Sequence, residues 1–487
     1  MERENAWKKY DDEALEELEA LAGDYIDFIS KNKTERECAA ASIEMAEAAG
    51  YVSLEQAVRE GRKVAAGDKL WAQTHGKAVI LIHVGSEPVE NGFNILGAHI
   101  DSPRLDLKQN PLYEANDFAL LDTHYYGGIK KYQWVTLPLA IHGVVAKTDG
   151  TVVNVVVGED ADDPVFCVTD LLPHLGSEQM QKKATEVVAG EALDVLVGGH
   201  PLACDDYDAE TGDAKDADAK KADDDKTEWE KLASKEPVKA AVLKALFEKY
   251  GIGEEDFLSA ELEVVPAGRA REMGFDRSMV LGYGQDDRVC AYTSLVAQLA
   301  VENPGRTAVT VLVDKEEIGS VGATGMQSRF FENTMAELME LAGEGGAMKL
   351  RRALGNSRML SSDVSAGLDP SYASVYEPKN SAYLGRGLVF NKYTGARGKS
   401  GSNDASAEYV ARVRKVMDDA KVSFQTAELG KVDAGGGGTI AYIPANYDMD
   451  VIDSGVAVLS MHAPWEVTSK ADIYEARKGY GAFLLNA

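Results

Sequence analysis

Residues 311–325 read VLVDKEEIGSVGATG: an apolar run closes at Val313, and the acidic residues Asp314, Glu316 and Glu317 follow at once, ahead of a glycine-rich stretch. An apolar run of this length, preceded by Ala308, Val309 and Thr310, predicts a buried strand. Two neighbouring glutamates at the mouth of such a strand repel each other, and the cost rises as water is excluded. Either the pair sits in a solvated loop or something positive faces it. The remainder of the chain decides between these.

Further α/β texture surrounds the stretch. Residues 78–84 (AVILIHV), 93–100 (FNILGAHI), 387–391 (GLVFN) and 456–462 (VAVLSMH) predict strands. Leu15, Leu18, Tyr25, Ile26 and Ile29 recur at helical spacing, and Thr34 with Glu37 forms a capping-box pattern opening a second helix. Val289, Tyr292, Leu295, Val296 and Leu299 predict an amphipathic helix, and 335–344 another. Between 108 and 265 the texture changes to short strands separated by turn residues. The span includes a run at 205–231 almost without large apolar side chains, expected to form a solvated loop. The expectation is a discontinuous α/β domain, 1–107 with 266–487, carrying an inserted β-rich domain over 108–265.

Composition narrows the function. The chain has 487 residues, 45% hydrophobic and 27% charged, with 80 acidic against 51 basic residues and a net charge of −29. Such a surface argues against nucleic acid, whose phosphates need cationic neutralisation. No apolar stretch approaches the roughly 20 residues of a membrane span, and the amino terminus shows no apolar signal region. Cys38, Cys167, Cys204 and Cys290 lie far apart, which suits reduced thiols in a cytoplasm.

In open α/β sheets, function collects where strands end. Here NILGAHIDSP offers His99 and Asp101, LGYGQDDRV offers Asp286 and Asp287, and VLVDKEEIGS offers Glu316 and Glu317. RMLSSDVSAG adds Asp363, and VLSMHAPWE adds His462. Imidazole nitrogens and carboxylate oxygens at successive strand ends suit a site for two divalent cations such as zinc. One glutamate of the opening pair would then bind a cation and the other would take a proton from water. Spacing does not say which does which.

The stretches GAHIDSPRLDLK, YGQDDRVCAY, DKEEIGSVGATG, SSDVSAGLDP and LSMHAPWE together resemble the aspartyl aminopeptidase / aminopeptidase I family of dinuclear zinc metallopeptidases. The likeness extends through YYGGIKKYQW and LPLAIHG of the insertion. It implies a mixed-sheet α/β/α catalytic domain of zinc-exopeptidase type with an inserted, mostly β dimerisation domain. It implies two Zn²⁺ per subunit, replaceable by Mn²⁺ or Co²⁺: His99 and Asp363 on one, Glu317 and His462 on the other, Asp286 bridging. Asp101 would orient His99, Glu316 would be the general base, and His142 would steady the oxyanion in a neighbouring subunit's site. Lys392, with Arg386 second, would be the first-pocket cation. Gly438, within the glycine run 435–438, would let substrate backbone approach closely. The family follows its bridging aspartate with Asn, where this chain has Asp287.

The activity implied is removal of the amino-terminal residue from short peptides. Acidic Asp or Glu is favoured slightly, and neutral residues such as Leu are the family's other choice. The partners implied are further copies of the chain, in a cytoplasmic tetrahedral dodecamer built from dimers. Another dinuclear hydrolase, such as a deacylase or dipeptidase, would use the same type of site. An inactive scaffold would have lost a ligand or the base, and every such position is filled.

Overall fold

The computed structural model describes residues 3–202 and 228–487. The chain divides into two compact units, Met1–Ser102 with Arg269–Ala487, and Pro103–Gly268. The seams fall five residues before and three after the ones expected from the change of texture. The strand Arg104–Ala115 begins directly at the first seam, within what reads from the sequence as the end of the catalytic segment. Most of the acidic run 205–231 lies outside the described residues. Its last four residues, 228–231, open a short helix, Glu228–Ala233, rather than belonging to a loop.

Among the described residues, nine strands of the first unit join in one sheet. Its centre holds Thr307–Val313, Phe93–His99, Arg358–Ser362 and Asp450–Gly455, in that order and mutually parallel. Ala78–His83 and Leu388–Asn391 flank this centre in antiparallel fashion, so the sheet is mixed. Phe93–His99 and Thr307–Val313 are buried along their whole lengths, which explains their largely apolar runs: both faces are covered. Leu96, Ala98, Ala308 and Leu312 pack with the helices Asp12–Lys31, Gln285–Ala300 and Lys470–Asn486 on one face. Ile95, Val309 and Val311 pack against Phe330–Leu341 on the other. This is a three-layer α/β/α arrangement.

The helix Gln285–Ala300 departs from expectation. It is buried on nearly all sides rather than along one stripe, because it lies between the strand Phe93–His99 and the C-terminal helix. A smaller sheet of the same unit contains Met279–Gly282, Glu466–Ser469 and Ala457–Leu459. The apolar run expected as a strand to residue 462 is extended only over Ala457–Leu459. Ser460 (φ +59°) and His462 (φ +64°) then turn the chain back on itself.

In the second unit, among the described residues, seven strands form an antiparallel sheet. Leu139–Ala146 and Ala260–Pro266 lie inside it, and the helix Pro237–Tyr250 packs on it.

The capping box at Thr34 forms as its spacing predicts. Thr34 Oγ1 accepts from Glu37 N–H at 3.2 Å while the Glu37 carboxylate accepts from Thr34 N–H at 3.0 Å. Thr34 is buried, so its partners have no easy replacement in water. Thr34→Ala is expected to lower unfolding free energy by about 1 kcal/mol, read by chemical denaturation.

Candidate metal centre

Register places the acidic residues. Val313 pairs with His99, and Ser362 with Ser454, so the central strands end at a common level. Beyond Val313, Lys315 takes a left-handed conformation (φ +69°) and starts a single 3₁₀ turn, Glu316–Ile318. Asp314 anchors the loop: its N–H donates to the Thr324 carbonyl at 3.2 Å and its carboxylate accepts from Thr324 Oγ1. The turn brings the Glu316 and Glu317 N–H groups onto the two oxygens of Asp101, each at 3.2 Å. Asp101 Oδ1 also lies 3.2 Å from His99 Nδ1. The residue expected only to orient His99 therefore ties the histidine to both glutamates.

The second strand-to-helix junction needs a glycine. Gly284 has φ +72°, and a Cβ there would fall 1.9 Å from Arg288 Nη1 and 2.8 Å from Ser102 Oγ. Beyond it, Asp286 and Asp287 are non-helical and joined by a cis peptide. Asp286 turns one oxygen to each histidine. Its Oδ1 is 3.1 Å from His99 Nε2, and its Oδ2 is 3.3 Å from His462 Nε2.

The remaining residues close in around this carboxylate. His462 Nε2 is 3.6 Å from Glu317 Oε2. His99 Nε2 is 3.9 Å from both Asp363 Oδ1 and Glu316 Oε2. Two groups that could hold a metal ion result, His99 with Asp286 and Asp363, and Asp286 with Glu317 and His462. A third combination joins His99 with Glu316 and Glu317. In each, the candidate donor atoms lie within 4.8 Å of one another. Both principal groups offer nitrogen and carboxylate oxygen, the donor set that suits zinc.

The electrostatics call for cations. Burial pushes the carboxyls of Asp363 and Glu317 well above the usual range, and the charge of Asp286 adds to it in both. Glu316 is pushed up to about 7, again first by burial. Burial would lower the pKa of His99, but its contacts with Asp101 and Asp286 win and hold it well above the ordinary value. Burial likewise opposes ionisation of Asp286, and the two histidines overcome that and hold it below the usual range. Without a metal, then, protons supply the positive charge that this set of carboxylates requires. Glu317 Oε1, buried and without a hydrogen-bond partner among the described residues, is a further acceptor that a cation would satisfy. The residues present fit a pair of divalent ions sharing Asp286.

Asp287 accepts from the His99 N–H at 3.4 Å and is fully buried. Burial pushes its carboxyl well above the usual range, with Asp286 beside it adding to the shift. Burial thus favours the neutral form of this carboxyl.

The other predicted residues lie elsewhere. His142 belongs to the second unit, buried on Leu139–Ala146, with Nε2 3.1 Å from Glu159 Oε1. Lys392 is paired with Asp404, which Lys399 also contacts at 2.8 Å, so its charge is partly met within the chain. It lines a cavity of about 240 Å³ with Tyr393, Arg414 and Glu428, and none of the metal-centre residues lines that cavity. Arg386 stacks on Tyr383 at 4.2 Å and lines a separate cavity with Arg3, Lys379 and Arg414. Within the glycine run, Gly435 and Gly436 carry the steric demand, since a Cβ would fall 1.8 Å from Leu429 O and 2.4 Å from Ala396 Cα. Gly438 borders open space.

Two acidic residues escaped the sequence reading. Glu466 stands in the LSMHAPWE stretch, four residues after His462, where its position beside a ligand is a usable signal. Asp453 has none, since it sits inside the short mixed strand DVIDSG rather than after an apolar run. It is buried and accepts from Thr439 Oγ1 at 2.6 Å, linking the strand Asp450–Gly455 to the end of the glycine run. Burial raises its pKa to about 7. A carboxyl whose folded pKa exceeds its unfolded value stabilises the fold fully below about pH 4, and that contribution is lost as pH rises through about 7. Asp453→Asn cannot titrate. Thermal melts of chelator-treated protein between pH 4.5 and 8 should show a shallower decline for Asp453→Asn than for wild type.

Known proteins resemble this chain along nearly its whole length. The family model described as aminopeptidase I zinc metalloprotease (M18) matches residues 28–484. A probable M18 family aminopeptidase 1 of Clostridium acetobutylicum is 59% identical over 485 residues, covering 100% of this chain and 98% of the relative. The crystal structure of an M18 aminopeptidase from Thermotoga maritima superposes with a TM-score of 0.89 at 43% identity, covering 100% of both chains. A Saccharomyces cerevisiae mApe1 dodecamer shares the fold, with a TM-score of 0.72 at 19% identity over 95% of each chain.

Proposed function

The chain belongs to the aminopeptidase I (M18) family of zinc metalloproteases and is a metallo-aminopeptidase, and from that premise we propose that it releases the first residue of short peptides at a two-zinc centre. His99 and Asp363 would hold one ion, Glu317 and His462 the other, and Asp286 both. The observation that carries this reading is Asp286 itself, whose two oxygens face two different histidines at 3.1 and 3.3 Å. When bound, the ions supply Lewis acidity toward the scissile carbonyl and toward water; Mn²⁺ or Co²⁺ would suit the same donors.

Glu316 is the base. It belongs to neither principal ligand group, and its carboxylate, with Oε2 3.9 Å from His99 Nε2, would be left to accept a proton from water and return it to the leaving amine. Asp101 fixes both glutamate backbones, so base and ligand keep their separate positions. His142, whose Nε2 lies 3.1 Å from Glu159 Oε1, would donate to the developing oxyanion in a neighbouring copy. That assigns the inserted domain a dimerisation role and the dimers a place in a dodecamer, an assembly supported by the mApe1 likeness. Among the described residues no helix is long and apolar enough to cross a membrane. The unpaired Cys38, Cys167 and Cys290 suit a cytoplasmic location.

The preferred first residue follows from charge. Around the cavity that Lys392 lines, the cations Lys392, Lys399 and Arg414 exceed the carboxylates of Asp404 and Glu428 by one charge, which would favour Asp or Glu over Leu. The open space at Gly438 would admit substrate backbone.

Hydrolysis of Asp, Glu, Leu, Ala and Lys anilides tests both points. Glu316→Gln should retain two zinc ions per subunit by elemental analysis and lose roughly 10²–10⁴-fold in kcat. Turnover at the wild-type rate would remove Glu316 as the base, and faster cleavage of Leu than Asp would remove the acidic preference. Wild type that binds two ions but cleaves only acylated peptides would mark a deacylase instead.

A further inference from the structure

Glu466 holds two segments of the metal centre that are far apart in the chain. Its side chain is 1% exposed. One carboxylate oxygen, Oε1, accepts from the His462 N–H at 2.8 Å. The other, Oε2, accepts from the Asp286 N–H at 3.1 Å, across 180 residues of sequence. Its backbone carbonyl accepts from Gln285 Nε2 at 2.9 Å, so the residue preceding Asp286 is held as well.

The small sheet sets up this position. Glu466 opens the strand Glu466–Ser469 and pairs with Gly282, which brings it level with the turn leading to Asp286. Its neighbour Val467 pairs with Leu459, the last residue before the turn that carries His462. Glu466 therefore stands at the corner where both ligand-bearing turns leave the sheet. The His462 turn needs a restraint, because a non-glycine residue at φ +64° is held in a sparsely populated conformation.

We infer that Glu466 is a positioning residue that clamps the backbones of Asp286 and His462 and thereby sets the spacing of the second metal position. This rests on the two-metal reading above. Only a side chain with two acceptor oxygens can serve both N–H groups. Gln would turn its NH₂ toward one of them, and Ala would remove the acceptor from both, including the buried Asp286 N–H. The contacts run to the ligands' backbones, so Glu466 shapes the centre from behind.

The test compares the full-length protein with Glu466→Gln, Glu466→Ala and a packing control, Leu484→Ala, whose site in the C-terminal helix is fully buried. Zinc affinity is measured by chelator competition and ligand geometry by the visible spectrum of the Co²⁺-loaded protein, both well below each variant's Tm. Both Glu466 variants should lose about 10–100-fold in affinity for one of two ions and show an altered Co²⁺ spectrum. Leu484→Ala should keep wild-type values despite a lower Tm. The clamp is overturned if Glu466→Gln, folded by circular dichroism, binds two ions with wild-type affinity and spectrum. It is equally overturned if Leu484→Ala loses affinity to the same degree. Failure of wild type to bind two ions would instead overturn the two-metal reading.

Discussion

The parallel pairing of Thr307–Val313 with Phe93–His99, in which Val313 meets His99, fixes the height at which everything else in the metal centre must stand. Strand register has a period of two, and a slip of one residue would exchange the two faces. Leu96 and Ala98 would leave one core and Ile95 the other, so burial on both faces locks the register. With the strand ends level, the loop after Val313 has only a left-handed Lys315 and one 3₁₀ turn in which to reach His99. Asp101, two residues beyond His99, closes that distance by accepting both glutamate N–H groups. A candidate metal-ligating histidine and the acidic pair are thus joined through one buried carboxylate belonging to the histidine's own strand end.

Charge is the second constraint. Asp101, Asp286, Glu316, Glu317 and Asp363 share a small volume with two histidines, in a chain that is strongly acidic overall. Burial makes each further negative charge costly, which is why Glu317 and Asp363 hold their protons so firmly without a metal. The same crowding that destabilises the metal-free site is what favours divalent cations in it. Asp287 meets the constraint differently, as a neutral acid accepting from the His99 backbone.

Much of this is legible from residue order. Each donor follows directly on an apolar run or opens a helix, and the run-then-carboxylate pattern recurs along the chain. The strands around Ala78–His83, Phe93–His99 and Thr307–Val313 follow from their apolar runs, and the Thr34 cap follows from its spacing. The strand expected through residue 462 stops at Leu459 because the small sheet ends there and His462 must turn back toward Asp286. Local propensity cannot report that, since nothing in residues 460–462 demands positive φ. Helix Gln285–Ala300 reads as amphipathic because its polar residues look solvent-facing, whereas Gln298 and Thr293 are buried and hydrogen-bonded within the layers.

The sequence alone determined the kinds of group available and their order: histidine, aspartate pair, glutamate pair, aspartate, histidine, each beside a buried strand or helix. That suffices for the fold class and for the family. Tertiary structure decided how those groups divide. It turned the two oxygens of Asp286 toward different histidines, set Glu317 beside His462 and left Glu316 nearer His99. It also paired Lys392 with Asp404. The physical reason is that neighbours in sequence share a backbone position but not a direction. Which way each carboxylate points depends on N–H donors and strand partners supplied from up to some two hundred residues away.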